Sequence, residues 1–478
     1  MLTERSALGP HPQSAAETVH TGETATALTI ASQQADISAR IERLPITRRV
    51  FWTRNIIGAA TFFDGYTVIA IAYAMPVLVK EWSLSPAQIG MILSFGYLGQ
   101  LIGAVFFGWL AERVGRLRVL TFTILLFVAM DLACLFAWSA GSLMLFRFLQ
   151  GIGTGGEVPV ASAYINEYIG SKKRGRFFLL YEVMFLLGLV GAGAIGYLLV
   201  PAYGWKAMFV VGLIPAILMI PLRMLLLESP RWLASKGRYR EADRIVTRLE
   251  RSVEASGKPL AEPIPVKAVA NSGQSNWREL FSKIYCRRTL VIWSLWFGSY
   301  MVANGLITWL PTLYRETFKL PLHTSLSYGF MTSAVGVVAA VICALCIDRV
   351  GRKRWYVLAL LVACGPLLAL SILGATSANQ VLVLAALAYA AVQTVTFSLY
   401  LYSAELYPTR LRAIGTGVGS AWLRLGSATG PILVGFIIGG YGVHLVFAAF
   451  AGVLLATAAV ASLFAIETKG KVLEELSP

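Results

Sequence analysis

Histidine, cysteine and acidic residues are scarce in this 478-residue sequence, and their scarcity excludes several kinds of protein. None of the four histidines is placed beside a nucleophile or as a metal-binding pair, so neither an enzyme nor a metal site is indicated. Five cysteines predict no disulfide framework, and Cys343 and Cys346 lie in an apolar run, where they are expected to pack as small apolar side chains. No Walker-type phosphate loop is visible, so neither ATP coupling nor a cofactor is predicted.

Charged residues make up only 14% of the sequence, whereas 57% of the residues are hydrophobic. A soluble protein of this length needs more charge to cover its surface, so the composition indicates a membrane protein. The net charge of +16 would also fit nucleic-acid binding, but the basic residues form short clusters between apolar runs. Membrane insertion produces that spacing because Lys and Arg are retained on the cytoplasmic side, so no nucleic-acid partner is predicted.

Apolar runs of about 20 residues, the length that crosses ~30 Å of hydrocarbon, recur along the chain. The first set lies near 52–79, 88–111, 118–138, 142–168, 175–200 and 206–227. The second set lies near 288–313, 325–347, 354–374, 380–404, 413–438 and 442–466. The sequence therefore predicts an all-α membrane protein of 12 transmembrane helices in two six-helix halves.

Polar segments set the expected boundaries of the halves. The predicted division is 1–50 (tail and amphipathic segment), 51–227, 228–287 (helical linker), 288–467 and 468–478 (tail). Residues 1–36 are expected to be disordered, and 37–49 to form an amphipathic stretch whose arginines 40, 43, 48 and 49 suit an anionic membrane surface. Residues 1–44 lack the apolar core of a secretory signal, so the first span is expected to direct insertion. Within the linker, Arg238 to Ser256 predicts a soluble amphipathic helix.

Basic residues predict the orientation in the membrane. They cluster in the loops after spans 2, 4, 8 and 10, whereas the opposite loops hold only Lys80, Lys206, Arg315 and Lys319. The clusters are Arg113, Arg116 and Arg118; Lys172, Lys173, Arg174 and Arg176; Arg349, Arg352, Lys353 and Arg354; and Arg410 and Arg412. We therefore expect a multi-pass protein of the inner (plasma) membrane, in contact with lipid and monomeric, with both termini cytoplasmic.

The two halves repeat each other. GWLAERVGRLR (108–118) is echoed by ALCIDRVGRKR (344–354), and acidic landmarks recur after spans 4 and 6. The offsets are 236 positions for 112 and 348, 238 for 167 and 405, and 239 for 228 and 467. A nearly constant offset indicates parallel halves related by an axis along the membrane normal.

These motifs resemble those of the major facilitator superfamily. The paired loops resemble its signature, and RFLQGIGTGGE (147–157), ESPRWL (228–233), ELYPTRLRAIG (405–415) and ETKG (467–470) resemble its sugar-porter-like and organic-ion branch. FFDGY (62–66) with Pro76 and KEW (80–82) is similar to bacterial nicotinate and aromatic-acid:proton symporters. LRLGSATGP (423–431) is similar to animal organic anion and cation carriers. The resemblance implies the two-half transporter fold and a small-molecule substrate.

Charges at the cytoplasmic ends of the helices are predicted to form a gate. Salt bridges that exist only in one conformation bias the two states of alternating access, so acids and arginines of opposite halves are expected to pair across the seam. The alternative is that these charges only set topology, which explains the basic residues but not the repeated acids. The predicted gate residues are Glu112, Arg113, Arg116, Glu167, Arg231, Asp348, Arg349, Arg352, Glu405 and Glu467.

Ionisable residues inside spans are candidates for function because each costs roughly 2.5–3.5 kcal/mol on insertion. Arg424, a dozen residues into span 11, matches an arginine at which organic-anion carriers engage their substrates, and a guanidinium holds a carboxylate at two points. The alternative is a structural arginine paired with Asp64 or Glu182. Asp64 is a candidate proton-coupling group, or else a packing residue bonded to Tyr66 or to backbone. Predicted proton-coupling residues are Asp64, Glu157, Arg147 and Glu182; Asp131 is given no role.

Aromatic and amide side chains cluster in the helices that the resemblance places around the cavity. Flat rings favour an aromatic guest, and amides bond a ring nitrogen or a carboxylate; for any single ring a lipid-facing position is the alternative. The predicted substrate-binding residues are Arg424, Trp296, Tyr300, Asn304, Gln393, Phe397, Tyr400 and Tyr181. The glycine runs GIGTGG (151–156) and GTGVGS (415–420) are expected to let helices approach closely, not to bind nucleotides.

Together these features predict a proton-coupled importer of a small aromatic monocarboxylate, nicotinate first and nicotinamide as a further candidate. Its partners would be this anion, protons and the lipid bilayer. The alternatives are a carrier of benzoate-type acids, organic cations, sugars or drugs, an uncoupled facilitator, or, in a different class, a non-transporting membrane receptor. Retention of both gate loops and of Arg424 counts against the receptor, since a fixed receptor needs no balanced gates.

Overall fold

The computed structural model describes residues 32–45, 47–169, 171–217, 224–257, 259–263, 277–407 and 409–469. All regular elements in these ranges are helices. Helix α1 covers 32–42, where the sequence predicted disorder up to residue 36 and an amphipathic segment up to 49. The rest of the predicted N-terminal tail and the predicted C-terminal tail from residue 470 lie outside the described residues.

The first half is built from α2 to α7. Their bounds are Arg48–Trp82 (α2), Pro86–Val114 (α3), Arg116–Leu135 (α4), Ala140–Tyr168 (α5), Ser171–Tyr203 (α6) and Lys206–Val211 (α7). Residues 218–223 fall outside the described ranges, so the predicted sixth span is described only in part, with a shorter apolar helix that runs up to Ile217. The predicted spans in the described part agree with the helices to within a few residues.

The second half repeats this arrangement after a polar linker. The linker carries α8 (Pro230–Ser235), α9 (Tyr239–Glu254) and a 3-10 turn at Trp277–Phe281. The second half comprises α10 (Cys286–Glu316), α11 (Leu322–Val350), α12 (Arg352–Ile372), α13 (Ala378–Leu406), α14 (Thr409–Gly440) and α15 (Val443–Phe464). Helix α9 confirms the predicted amphipathic helix. We call the end of the bundle next to α1, α8 and α9 the linker side, and the other end the opposite side.

Ten helices of the described residues are long and apolar enough to cross a membrane. Helix α5 is of similar length but less apolar, because its middle carries glycines and the acid Glu157. Serines start several helices: Ser85 and Ser139 form capping boxes, and Ser377 accepts from the backbone of Gln380. These side chains satisfy backbone N–H groups that a helix start leaves unpaired.

Glycines bring α3 and α5 into direct backbone contact. A Cβ atom on Gly151 would lie 2.0 Å from the carbonyl oxygen of Gly96, and one on Gly103 would lie 2.0 Å from that of Ile152. Side chains larger than hydrogen do not fit at that separation. The interpretation of GIGTGG as a helix-packing run is therefore confirmed.

The two halves touch each other near the opposite side. A Cβ on Gly90 of α3 would lie 2.6 Å from the carbonyl oxygen of Pro431 on α14, and the hydroxyls of Tyr73 and Ser333 lie 3.2 Å apart. On the linker side, by contrast, no ion pair joins the halves within the described ranges. The bundle is therefore closed by backbone packing at its opposite side.

Candidate functional site

A cavity lies between the halves, lined by the middle parts of seven helices, and its empty space, including the part open to solvent, is about 1040 Å³. The first half contributes Asp64, Val68, Ile69, Tyr97, Gln100, Thr154, Gly155, Val158, Glu182, Phe185, Leu186 and Leu189. The second half contributes Tyr300, Ala303, Asn304, Ile307, Tyr389, Gln393, Thr396, Phe397, Tyr400, Leu423, Arg424 and Ser427. The wall is mostly apolar and aromatic with a few polar groups, as in sites for small organic ligands.

Arg424 lies in this wall and is only 6% exposed. Its guanidinium donates to two backbone carbonyls, that of Ser420 one turn earlier at 3.0 Å and that of Gly155 in the other half at 3.3 Å. Its Nε has no hydrogen-bond partner, and no carboxylate of the described residues lies within ion-pair distance. This geometry argues against the alternative that Arg424 is a structural arginine paired with Asp64 or Glu182.

Two carboxyl groups of the first half face the same cavity. Asp64 on α2 is 2% exposed, and its Oδ1 has no hydrogen-bond partner. Tyr66, its expected partner, donates instead to the carbonyl of Met208 at 2.8 Å. Glu182 on α6 also lines the cavity. The cavity therefore has acids on one wall and a guanidinium on the other.

Glu157 and Tyr181 lie behind the wall and do not reach the cavity. The hydroxyl of Thr61 donates to Glu157 Oε1 at 2.9 Å and contacts the Tyr181 hydroxyl at the same distance. Both side chains are fully buried. Tyr181 was predicted to contact substrate, but it does not line the cavity, because its side chain packs behind the wall, where its hydroxyl contacts Thr61.

Arg147 also lies outside the main cavity. It donates to the carbonyl of Thr67 at 3.0 Å and to the Gln150 amide, whose nitrogen donates to Asp131 at 2.6 Å. A small void of about 220 Å³ borders Arg147 and shares Tyr97 and Thr154 with the cavity. This network ties together α2, α4 and α5 within the first half.

Stacked rings form the wall on the second half. Tyr300, Phe397 and Tyr400 line the cavity as predicted, whereas Trp296 is fully buried behind them. Trp296 stacks on Tyr300 with ring centroids 5.5 Å apart, and its indole N–H donates to Ser403 at 3.0 Å. The prediction that Trp296 contacts the guest is therefore corrected, because its polar edge faces a helix partner.

Both predicted amides, Asn304 and Gln393, line the cavity. Asn304 accepts from the Tyr97 hydroxyl at 2.8 Å and donates to Ser427 at 2.9 Å, so it joins three helices across the two halves. Gln393 is nearly buried and shares its helix face with Phe397. The amides are thus held at set positions in the wall.

Sequence reasoning missed several lining residues. Tyr389 lies four residues before Gln393 on α13, so helical periodicity would have placed it on the same face. Tyr97, Gln100 and Thr154 carry no comparable signal, because nothing local shows that α3 and α5 turn these polar groups inward. The missed polar or aromatic residues of the wall are Tyr97, Gln100, Thr154, Tyr389, Thr396 and Ser427.

The ion pairs on the linker side lie within each half. Arg116 pairs with Glu112 at 2.7 Å and with Glu167 at 2.9 Å, and Glu228 accepts from the backbone N–H of Arg116 at 3.0 Å. Gly115, which precedes this arginine, has φ +119°, and a Cβ there would lie 2.5 Å from Glu228 Oε2. The glycine therefore permits both the turn and the approach of the acid.

The second half repeats this network. Arg352 pairs with Asp348 at 2.8 Å and with Glu405 at 2.9 Å, and Glu467 accepts from its backbone N–H at 2.8 Å. Gly351, which precedes Arg352, has φ +98°, and a Cβ there would lie 2.6 Å from Glu467 Oε2. In this conformation, which is closed at the opposite side, the predicted pairing across the seam is not formed in the described residues: each arginine begins a helix beside an acid of its own half.

Three predicted gate residues lie outside these clusters. Arg113 stacks over the Trp109 ring at 4.0 Å, and the side chain of Arg349 is exposed. Arg231 pairs with Glu42 at 2.7 Å, because α1 covers the linker helices. The side chains of the basic residues at 172–176, and of Arg410, fall outside the description.

The chain matches the family described as "Sugar (and other) transporter" over residues 51–478. It is 35% identical over 442 residues to the niacin transporter NiaP of Acinetobacter baylyi, covering 92% of this chain and 99% of that protein. It is 30% identical over 410 residues to the 4-hydroxybenzoate transporter PcaK of the same organism, covering 84% and 88%. The benzoate transport protein of that organism is also 30% identical, over 382 residues, covering 79% and 81%.

Solved structures share the fold at lower identity. A D-xylose–proton symporter has a TM-score of 0.67 and 18% identity, covering 88% of this chain and 99% of that one. The xylose transporter XylE of E. coli, in a partially occluded inward-open conformation, has a TM-score of 0.69 and 18% identity, covering 89% and 100%.

Proposed function

The chain belongs to the sugar (and other) transporter family and is a multi-pass membrane transporter of the major facilitator superfamily, and on this premise we propose that it imports nicotinate together with a proton. Its relatives include a niacin transporter and transporters of benzoate and 4-hydroxybenzoate, all small aromatic acids. The transporter class agrees with the prediction of a carrier in place of an enzyme. The substrate, the coupling and the direction are the proposal.

One observation carries the proposal: Arg424 is a buried cation in the cavity wall whose contacts are backbone carbonyls. A buried positive charge with no carboxylate at ion-pair distance is costly, so the site favours a guest that brings one. The guanidinium holds a carboxylate at two points, and Tyr300, Phe397 and Tyr400 present rings to an aromatic body. A monocarboxylate on a small ring satisfies both features.

Asp64 supplies the proton coupling in this proposal. It interacts electrostatically with Arg424 across the cavity. A substrate carboxylate bound to Arg424 places a second negative charge near Asp64, and like charges favour the protonated form of the aspartate. Substrate and proton therefore enter together.

Alternating access then delivers both to the cell. The basic clusters support a cytoplasmic linker side, and in that orientation the backbone contacts at the opposite side close the outer entrance. Release follows when the cavity opens toward the linker side. The repeated ion pairs at 112, 116 and 167 and at 348, 352 and 405 hold each half rigid, so that the halves move as bodies. The carrier acts as a monomer in the bilayer.

Arg424→Ala tests the proposal. Truncating one partner of a buried charge pair costs about 2 kcal/mol or more, so counterflow of labelled nicotinate in proteoliposomes should fall at least ~30-fold. Arg424→Lys keeps the charge without the two-point geometry and should fall in between. Arg251→Ala, an exposed arginine on α9, is the matched control.

Two outcomes would contradict the proposal. Normal nicotinate counterflow in folded Arg424→Ala removes the arginine from the site. Tight nicotinate binding by the wild type without any counterflow indicates a receptor. Nicotinamide lacks the carboxylate, so a thermal-shift comparison should show weaker stabilisation by it than by nicotinate.

A further inference from the structure

We propose that Glu182 recognises the ring nitrogen of the pyridine carboxylate, from the cavity wall of the half that does not carry Arg424, and so separates nicotinate from benzoate. The inference rests on the proposed function, because it names the second polar contact of the same guest. It assigns to Glu182 a role in specificity, in addition to the coupling role that the sequence suggested.

The charges that line the cavity do not balance. Arg424 is the one cation among the described lining residues, and Asp64 and Glu182 are the acids. A bound monocarboxylate compensates Arg424, and a co-transported proton compensates Asp64. Glu182 is then left facing the cavity, with no ion pair or side-chain hydrogen bond in the described part of the chain. A guest that offers Glu182 a hydrogen bond removes this cost.

Glu182 and Arg424 face the cavity from opposite halves, on α6 and α14, and no ion pair joins them in the described residues. Tyr300 and Tyr400 line the same cavity from the second half. An aromatic acid packed against these tyrosines, with its carboxylate at Arg424, can turn the ring edge that holds its nitrogen toward the wall that carries Glu182.

Pyridine chemistry suits that arrangement. A protonated Glu182 donates its O–H to the lone pair of the ring nitrogen, or a pyridinium N–H donates to the Glu182 carboxylate. The two forms differ only in the position of one shared proton, so atoms and charge balance in either. Benzoate presents a C–H group at this edge and leaves the carboxyl unsatisfied. A site built around a polar partner discriminates against a ligand that lacks it.

Equilibrium binding to the purified full-length protein tests the inference. Dissociation constants for nicotinate and benzoate are measured by calorimetry for the wild type, Glu182→Leu and Glu182→Gln. The wild type should bind nicotinate about tenfold more tightly than benzoate, the effect of one hydrogen bond. Glu182→Leu should bring the ratio near one, and Glu182→Gln should retain part of it, since an amide N–H donates to the nitrogen. Glu316→Gln, at the half-exposed end of α10 and outside the cavity lining, should keep the wild-type ratio.

Two results would overturn the inference. The first is that the wild type binds nicotinate and benzoate with equal affinity, a result that needs no variant. The second is that Glu182→Leu keeps the wild-type ratio of the dissociation constants for benzoate and nicotinate. If this variant also loses pH-driven uptake, Glu182 acts in coupling alone. Failure of the proposed function looks different: the wild type binds neither acid, or Arg424→Ala binds nicotinate normally.

Discussion

At the scale of single side chains, the proposed proton coupling depends on Asp64. Its carboxyl reaches the cavity with Oδ1 unpaired, and the same cavity holds Arg424, the cation that we propose binds the substrate. Asp64→Asn keeps the size and polarity of the side chain and removes the exchangeable proton. Accumulation of nicotinate driven by a pH gradient should therefore disappear, while counterflow, which needs no net proton movement, should persist.

The measurement is labelled uptake into proteoliposomes with and without an imposed gradient. Accumulation that still follows the gradient in Asp64→Asn would assign the coupling to another group, with Glu157 the next candidate because it is a buried acid on α5.

Single residues also show how far sequence reasoning reached into the site. Arg424, Asp64 and Glu182 were predictable because a charge within an apolar run is expensive and therefore informative. Trp296 and Tyr181 were predicted in the cavity wall but lie behind it. The sequence did not reveal this because an aromatic residue is equally compatible with a lipid-facing surface, with helix packing and with a cavity wall. Only the packing of distant helices decides among these positions.

Helix α1 shows what contacts between elements add. Arg40 pairs with Asp243 at 2.6 Å and with Glu250 at 2.7 Å, and an apolar cluster that includes Ile37 and Val246 lies beneath them. Two of the four arginines that suggested a membrane-surface segment, Arg40 and Arg43, thus fasten α1 to α9. Burial raises the pKa of Glu250, but hydrogen bonds from Arg40 and Arg43 lower it more, so the net pKa lies below its ordinary value of 4.5.

The attachment of α1 should therefore depend on pH with a definite sign. A depressed carboxyl pKa contributes stability that is present above the ordinary value and is lost as pH falls through the depressed one. We expect protection of 32–42 from hydrogen exchange to be constant between pH 7 and 5, and to be lost on acidification below 4.5.

Glu250→Gln should produce the same loss at neutral pH. Removal of these charge-assisted hydrogen bonds predicts about tenfold faster exchange of α1 amides, read by mass spectrometry. Glu241→Gln is the control, since Glu241 pairs with Arg238, a neighbour on the linker, through an exposed contact. Equal protection in Glu250→Gln and the wild type would show that the apolar cluster alone holds α1.

At the scale of the whole molecule, the contact between α3 and α14 holds the halves together at the opposite side. A methyl group at Gly90 would meet the Pro431 carbonyl oxygen at 2.6 Å, so Gly90→Ala must push the helices apart. Overpacking of this kind costs about 1–3 kcal/mol, which shifts a two-state equilibrium by roughly 5- to 150-fold. The population open at the opposite side should increase.

Spin labels at position 80, in the last turn of α2, and at position 441, directly after α14, report this opening by their distance distribution. The five native cysteines are replaced in this background. Gly108→Ala is the control, because Gly108 lies on the same helix and a Cβ there meets nothing within 4 Å. Unchanged distances in Gly90→Ala would mean that this contact does not govern the closed state.

The sequence by itself determined the class of the protein, the helices in the described ranges, the repeat of the halves and the buried cation at 424. These features are local: an apolar run of sufficient length must enter the membrane as a helix, and a charge within it stands out. Tertiary structure alone decided which rings face the cavity, that the arginines at 116 and 352 pair within their own halves, and that α1 covers the linker. Those outcomes depend on contacts between residues far apart in the chain, such as Arg40 and Glu250, 210 positions apart. Their energies come from packing and paired charge, which no local pattern records.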